Sequence, residues 1–149
     1  MTLAVDVALE GVRSPLSRAR VADVARQVLR SEGVRDALLS VALVNRRRMR
    51  ALNREHLDRL GDTDVIAFGF SRVGSRGPIV GDVYISPDAA RASARENGVS
   101  VRQELARLVV HGTLHVLGYD HPEDGRRMRS AMWQRQERLV ARLMRAATR

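Results

Sequence analysis

Three of the four histidines in this 149-residue chain, His111, His115 and His121, fall within the stretch HGTLHVLGYDH. If that stretch begins as a helix, the four-residue spacing sets His111 and His115 one turn apart on one face, so both imidazoles reach a single point beside it. Gly118 can end the helix in a left-handed conformation at no steric cost, and the chain can then double back to deliver His121 to the same point. A His₃ metal site results, with a fourth position left for water or substrate. That arrangement is typical of catalytic rather than structural zinc, and the cofactor it predicts is one Zn²⁺ ion per chain. Two histidines at helical spacing often coincide by accident, and His121 before Pro122 could be a plain turn residue. The glycine placed where the turn needs it favours the metal reading.

The spacing HxxxHxxGxxH is also that of metzincin proteases, HExxHxxGxxH, in all but one position. Here Gly112 stands where the protease carries its general-base glutamate, so peptide hydrolysis lacks its usual proton acceptor. Asp120, directly before the third histidine, could orient a histidine by accepting its second ring N–H or could accept a proton. Its plainer reading is a turn aspartate. Asp64 and Asp82 open strand-like segments and could line the site, although aspartates at strand ends commonly satisfy turn backbone. The isolated His56 reads as a packing or partly exposed residue, with proton transfer as the alternative.

These side chains need elements to hold them. LAVDVALE alternates in the manner of a half-buried strand. Ser14 and Pro15 offer a helix start, and Val21, Val24, Ala25, Val28 and Leu29 recur at helical spacing until Gly33. ALLSVALV reads as a second strand. NRRRMRALNREHL reads as a short basic helix with Met49 and Leu52 on its buried side and His56 either there or partly exposed. TDVIAFGF and GDVYIS are neighbouring strands joined by the glycine- and serine-rich SRVGSRGPIV. From Pro87 the chain is helical in three pieces, divided at Asn97-Gly98 and at GYDHPEDG. Ser100 with Gln103 forms a capping box for the central piece, and Met128, Met132, Leu139 and Leu143 mark the last. The order predicts an α+β fold: one domain over residues 1–149, with helices packed on a mostly antiparallel or mixed sheet of about four strands. The His₃ metal site lies at the end of a central helix.

Net charge is +9, and all 26 basic residues are arginine. Guanidinium groups suit bidentate contacts to phosphate, so the charge is compatible with a nucleic-acid partner as well as with a solvated surface. Arg46, Arg47 and Arg48 cannot all point one way from a helix; Arg46, Arg47 and Arg50, together with the arginine-rich final helix, are the candidate contacts to an RNA backbone. Aromatic residues make up 3% of the chain, too few for a base-stacking platform of the single-strand-binding kind. There is no cysteine, and therefore no disulfide framework or thiolate site. The amino terminus lacks the pattern of a signal peptide and no apolar run approaches membrane-spanning length. A cytoplasmic protein with no membrane partner is the expectation.

The segment ELARLVVHGTLHVLGYDH, together with LN at 52–53, TDVIAF at 63–68, GDVYIS at 81–86 and QE at 136–137, resembles the YbeY family of bacterial metalloproteins. Order and spacing agree from about Leu38 to Leu143. The resemblance implies a cytoplasmic zinc-dependent endoribonuclease acting in ribosomal RNA maturation, at the small-subunit rRNA 3′ end, and in ribosome quality control. His111, His115 and His121 would be its metal ligands. It implies ribosomal RNA and small ribosomal subunit components as partners, with no DNA expected, and either hydrolysis or transesterification of an RNA phosphodiester. The alternative is a ribosome-associated assembly factor with a structural or vestigial zinc site and no nuclease activity of its own. The family usually carries an aromatic–arginine pair where this chain has His56 and Leu57. Arg54 and Arg59 are the nearby candidates for that arginine's catalytic role, beside Asp120. Asp62 and Ala67 also stand where the family has proline and serine.

Overall fold

The computed structural model describes residues 2–57, 63–70, 77–121 and 126–147. Among them the chain runs β1 (Leu3–Glu10), α1 (Arg18–Ser31), β2 (Ala37–Val44), α2 (Arg46–Leu57), β3 (Val65–Phe70), β4 (Ile79–Ile85), α3 (Pro87–Asn97), α4 (Val101–Val116) and α5 (Ala131–Ala147), with a 3₁₀ turn at Arg127–Arg129. The helix starts follow from local chemistry. Ser86 and Ser100 each precede a helix in extended conformation, and their side chains accept the amide hydrogens of Ala89 and Gln103. The first helix begins at Arg18, not at Ser14-Pro15. Ser17 is its cap, accepting from the Arg20 amide, while Ser14 is spent on Leu16, which is buried in the core.

The sheet order is β1-β2-β4-β3. β1 pairs parallel with β2, and β2 parallel with β4; β3 pairs antiparallel with β4, Val65 opposite Ile85. The sheet is therefore mixed, and two of its three pairings are parallel rather than antiparallel. The crossover through α1 accounts for the β1–β2 pairing, since adjacent parallel strands need such a connection; β4 lies parallel to β2 because the chain reverses between β3 and β4. TDVIAFGF and GDVYIS are neighbours, as their short connection suggests.

One sheet face carries the main core: Val5, Leu39, Val41, Leu43, Val83 and Ile85 lie under α1 and α4, and α5 packs on α4. α4 lies in the middle of this layer and is buried nearly all round, as its continuous apolar sequence requires. On the opposite face α2 lays Met49 and Leu52 over Val44 and Ile66. His56 does not join them. It is exposed, with its ring edge-on to Phe68 at 5.3 Å between centroids. Met128 likewise leaves the stripe of the last helix, because the chain turns at Arg127–Arg129 and α5 starts only after Ser130; Met128 is 64% exposed.

α4 approaches the sheet unusually closely at Gly112. A Cβ there would sit 2.5 Å from Val83 Cγ1 and 3.1 Å from Val65 Cγ2. Position 112 is glycine for packing. A glutamate, the protease residue at this place, would have no room for even its first carbon.

Candidate metal centre

The last turns of α4 present His111 and His115 to one side, His111 buried and His115 half-buried. The helix closes on bonds from the amides of Gly118 and Tyr119 to the carbonyls of His115 and Leu114. Gly118 takes φ +100°, a conformation that costs glycine little and other residues much. The chain then turns back, and His121 arrives beside the pair. Ring centroids lie 4.6, 5.1 and 5.0 Å apart. One ring nitrogen from each histidine lies within 4.8 Å of the other two, so the group could hold a metal ion.

Hydrogen bonding fixes which nitrogens face inward. Gln136 donates through Nε2 to Glu137 at 3.0 Å, leaving its Oε1 to face His111 Nδ1 at 2.6 Å. His111 Nδ1 therefore carries the proton. The carbonyl of Tyr119, 2.9 Å from His115 Nδ1, demands the same of the second ring. Both Nε2 atoms then bear lone pairs, and they face each other at 3.1 Å with no hydrogen between. Two such lone pairs repel unless a cation lies between them, and ligands of a tetrahedral zinc stand roughly 3.3 Å apart at bond lengths of about 2.0–2.1 Å. The residues fit a metal, with the outer nitrogens anchored as ligating histidines usually are.

The electrostatics keep the rings ready to bind. Burial pushes His111 down to about 3; the neighbouring His115, Arg127 and His121 add to the effect and the bond to Gln136 opposes it. His115 is lowered as well, mainly by burial, against the pull of the Tyr119 carbonyl. Both imidazoles are thus neutral near pH 7, the form a metal needs. Supports extend outward from here. Arg107 bonds Glu104 at 3.1 Å and both oxygens of Glu137 at 2.9 and 3.0 Å. The Tyr119 hydroxyl donates to Glu32, which also receives Arg135 at 2.7 Å.

The sequence family described as Endoribonuclease YbeY matches residues 10–144. The chain belongs to the YbeY family. A relative in Anaeromyxobacter sp. (strain Fw109-5), named Endoribonuclease YbeY, is 42% identical over 128 residues, covering 85% of this chain and 67% of that protein. For the Anaeromyxobacter dehalogenans protein of the same name the match is 45% identical and spans 63% of the relative's length. The Geobacter metallireducens protein, again so named, is 39% identical over 76% of this chain and 77% of its own. The fold is similar to a solution structure from Thermotoga maritima, with a TM-score of 0.58, 24% identity, and 91% and 86% of the two chains covered.

The YbeY segment HGTLHVLGYDH thus supplies three convergent rings at the floor of a cleft of about 450 Å³, whose walls include Leu57, Asp64, Asp120 and Arg127. Asp120 is exposed, and its side chain accepts the backbone amide of His121 at 2.8 Å. Orientation of the His111 and His115 rings falls to Gln136 and Tyr119 instead. Asp64 lines the cleft, whereas Asp82 lies on the other sheet face, bonded to Ser40 at 2.7 Å. Arg46, Arg47, Arg50 and Arg54 are all exposed on α2. Arg46 borders a neighbouring cleft that also includes Asp64. From α2 it is Leu57, not Arg54, that lines the wall over the histidines. Arg59 and Asp62 fall outside the described residues. Two residues at the site went unassigned in the sequence. Gln136 showed only as part of the QE pair, and Arg127 only as one of the many arginines of the final helical stretch.

Proposed function

We propose that this chain is a zinc-dependent endoribonuclease that matures ribosomal RNA in the cytoplasm, at the 3′ end of the small-subunit RNA, by cleaving a phosphodiester in the cleft over His111, His115 and His121. The observation that carries the proposal is the pair of facing Nε2 lone pairs, each fixed by a bond on the far side of its ring. The names of the similar Anaeromyxobacter and Geobacter proteins supply the substrate class. An all-imidazole donor set of three, open on one side, suits zinc in a catalytic setting. The chemistry such an ion supplies is polarisation of a phosphoryl oxygen and activation of water near neutral pH.

The chain's own groups do the rest. Gln136 and the Tyr119 carbonyl hold His111 and His115 in one tautomer and one orientation. Asp120 and Asp64, on the cleft wall, are the carboxylates placed to take a proton from the attacking hydroxyl or water. Arg46, Arg47 and Arg50 form a basic helix face along which an RNA backbone runs. Arg54 extends that helix toward Leu57 and the cleft. Components of the small ribosomal subunit would meet the protein while it acts on their RNA.

The deciding experiment replaces the only cellular copy with His115→Ala and maps small-subunit rRNA 3′ ends, with zinc content measured on the purified, folded variant. Lost zinc and accumulated precursor are expected. Stoichiometric zinc in the variant would sink the His₃ assignment. Mature ends despite lost zinc would shift the protein to an assembly factor whose zinc serves structure.

A further inference from the structure

Arg127 sits in the 3₁₀ turn between the third histidine and α5. It lines the cleft over the histidines and also a second cleft of about 490 Å³, whose walls include Leu108, Trp133 and Gln136. Arg127, His111 and Asp64 are the residues common to both, so Arg127 stands where the two clefts meet. Its Nε is buried and has no hydrogen-bond partner among the described residues. The neighbouring part-buried arginines differ: Arg107 is held by Glu104 and Glu137, and Arg135 by Glu32. A guanidinium donor taken out of water calls for an acceptor.

The charge is as informative as the donor. Arg127 lines the same cleft as His111, His115 and His121, so its charge acts on any cation bound there. A positive side chain beside a metal site repels the metal unless an anion comes between them. Its planar fork matches the oxygens of a phosphate.

We infer that Arg127 is a substrate-binding residue: its guanidinium holds an RNA phosphate at the junction of the two clefts, beside the metal centre, and the strand continues into the cleft lined by Trp133. This inference rests on the nuclease reading. It singles out one binding group for the substrate from the arginine-rich final stretch of the chain.

The test uses the zinc-loaded full chain and a single-stranded 2′-O-methyl RNA octamer, whose binding is followed by anisotropy over a range of salt. Cleavage of the unmodified RNA is measured in parallel. Arg127→Gln should bind about tenfold more weakly. Its slope of log K against log salt should be shallower by about 0.7, the share of one single-strand phosphate contact. Zinc content should be unchanged. Arg127→Lys should keep the slope and lose cleavage rate severalfold, because a point charge replaces the fork. A wild-type protein that cleaves, with Arg127→Gln equal to it in affinity, slope and rate, overturns this inference and leaves the nuclease reading standing. A wild-type protein that neither binds nor cleaves overturns both. Should Arg127→Gln lose its fold or zinc, Arg127→Lys decides: full affinity and rate in that variant overturn the inference.

Discussion

Replacing Gly112 by alanine sets two effects against each other, and the structure says which wins. In an unconstrained helix the change stabilises by about 0.8–1 kcal/mol. Here the new Cβ would stand 2.5 Å from Val83 Cγ1, about 1 Å inside ordinary carbon contact distance. Val83 cannot yield easily: it is 1% exposed, and a β-branched side chain has little freedom at χ1. Val65 closes the other side. Overpacking of this kind costs about 1–3 kcal/mol, and a contact this short belongs at the upper end, so the net expectation is a loss of about 1–2 kcal/mol. The retreat of α4 also moves His111, the adjacent residue, away from Gln136 and its sister rings, so zinc affinity should fall about tenfold. Urea unfolding and a competitive zinc titration read the two effects. Val83→Ala alone should cost about 2 kcal/mol for its lost methyl groups and cavity. The double variant should lose less than the sum, by about 1–2 kcal/mol of coupling. A Gly112→Ala protein as stable as wild type, with full zinc affinity, would refute the argument that close approach dictates this glycine.

Two further outcomes follow from the same site. Gln136→Leu keeps the shape of a buried side chain but removes the acceptor of His111 Nδ1–H; zinc affinity should fall about 10- to 100-fold, measured by chelator competition, with the urea midpoint of the zinc-loaded form tracking it. For the metal-free protein, His111 is held at about 3 when folded against about 6.5 when unfolded. The unfolded chain then binds the extra proton below about pH 6.5, and the stability contributed by this group, present above that pH, is lost as pH falls toward 3. The urea midpoint should therefore drop between pH 7 and pH 5, and His111→Gln should flatten that part of the profile; equal slopes in the two proteins would refute the assignment.

What the sequence disclosed and what it hid divide along physical lines. The histidine triad was legible because helical spacing and a positive-φ glycine are local rules, and both act within eleven residues. The main helices after Pro87 were legible for the same reason, each capped by a serine or ended by a glycine. Strand order was not, since the placing of β4 between β2 and β3 depends on which edges remain free once helices have crossed over. The two aspartates show a middle case. Alternation in β4 puts Gly81, Val83 and Ile85 toward the core and so turns Asp82 away, whereas Asp64, just ahead of β3, lines the same cleft as His111. Arg127 lay beyond local rules altogether. Its place depends on how the chain returns from His121 to α5, and RRMR carries no periodicity that announces it.

The packing at Gly112 also constrains the chemistry. In the protease arrangement the general base follows the first histidine on the helix itself, which requires a gap between helix and sheet wide enough for a glutamate. Here α4 lies so close to Val83 and Val65 that not even a methyl group fits. The histidines gain a rigid floor, and the helix forfeits the position from which a carboxylate could reach them. A carboxylate base for this cleft must come from its walls. Among the described residues that border it, the carboxylates are Asp64, ahead of β3, and Asp120, in the turn before His121. Asp120 already accepts the His121 amide through one oxygen, while Asp64 lies at the meeting of the two clefts with Arg127. An RNA phosphate held by Arg127 would thus share its cleft with Asp64, and the two aspartates separate into one that lines the cleft, ahead of β3, and one, in the middle of β4, that faces away.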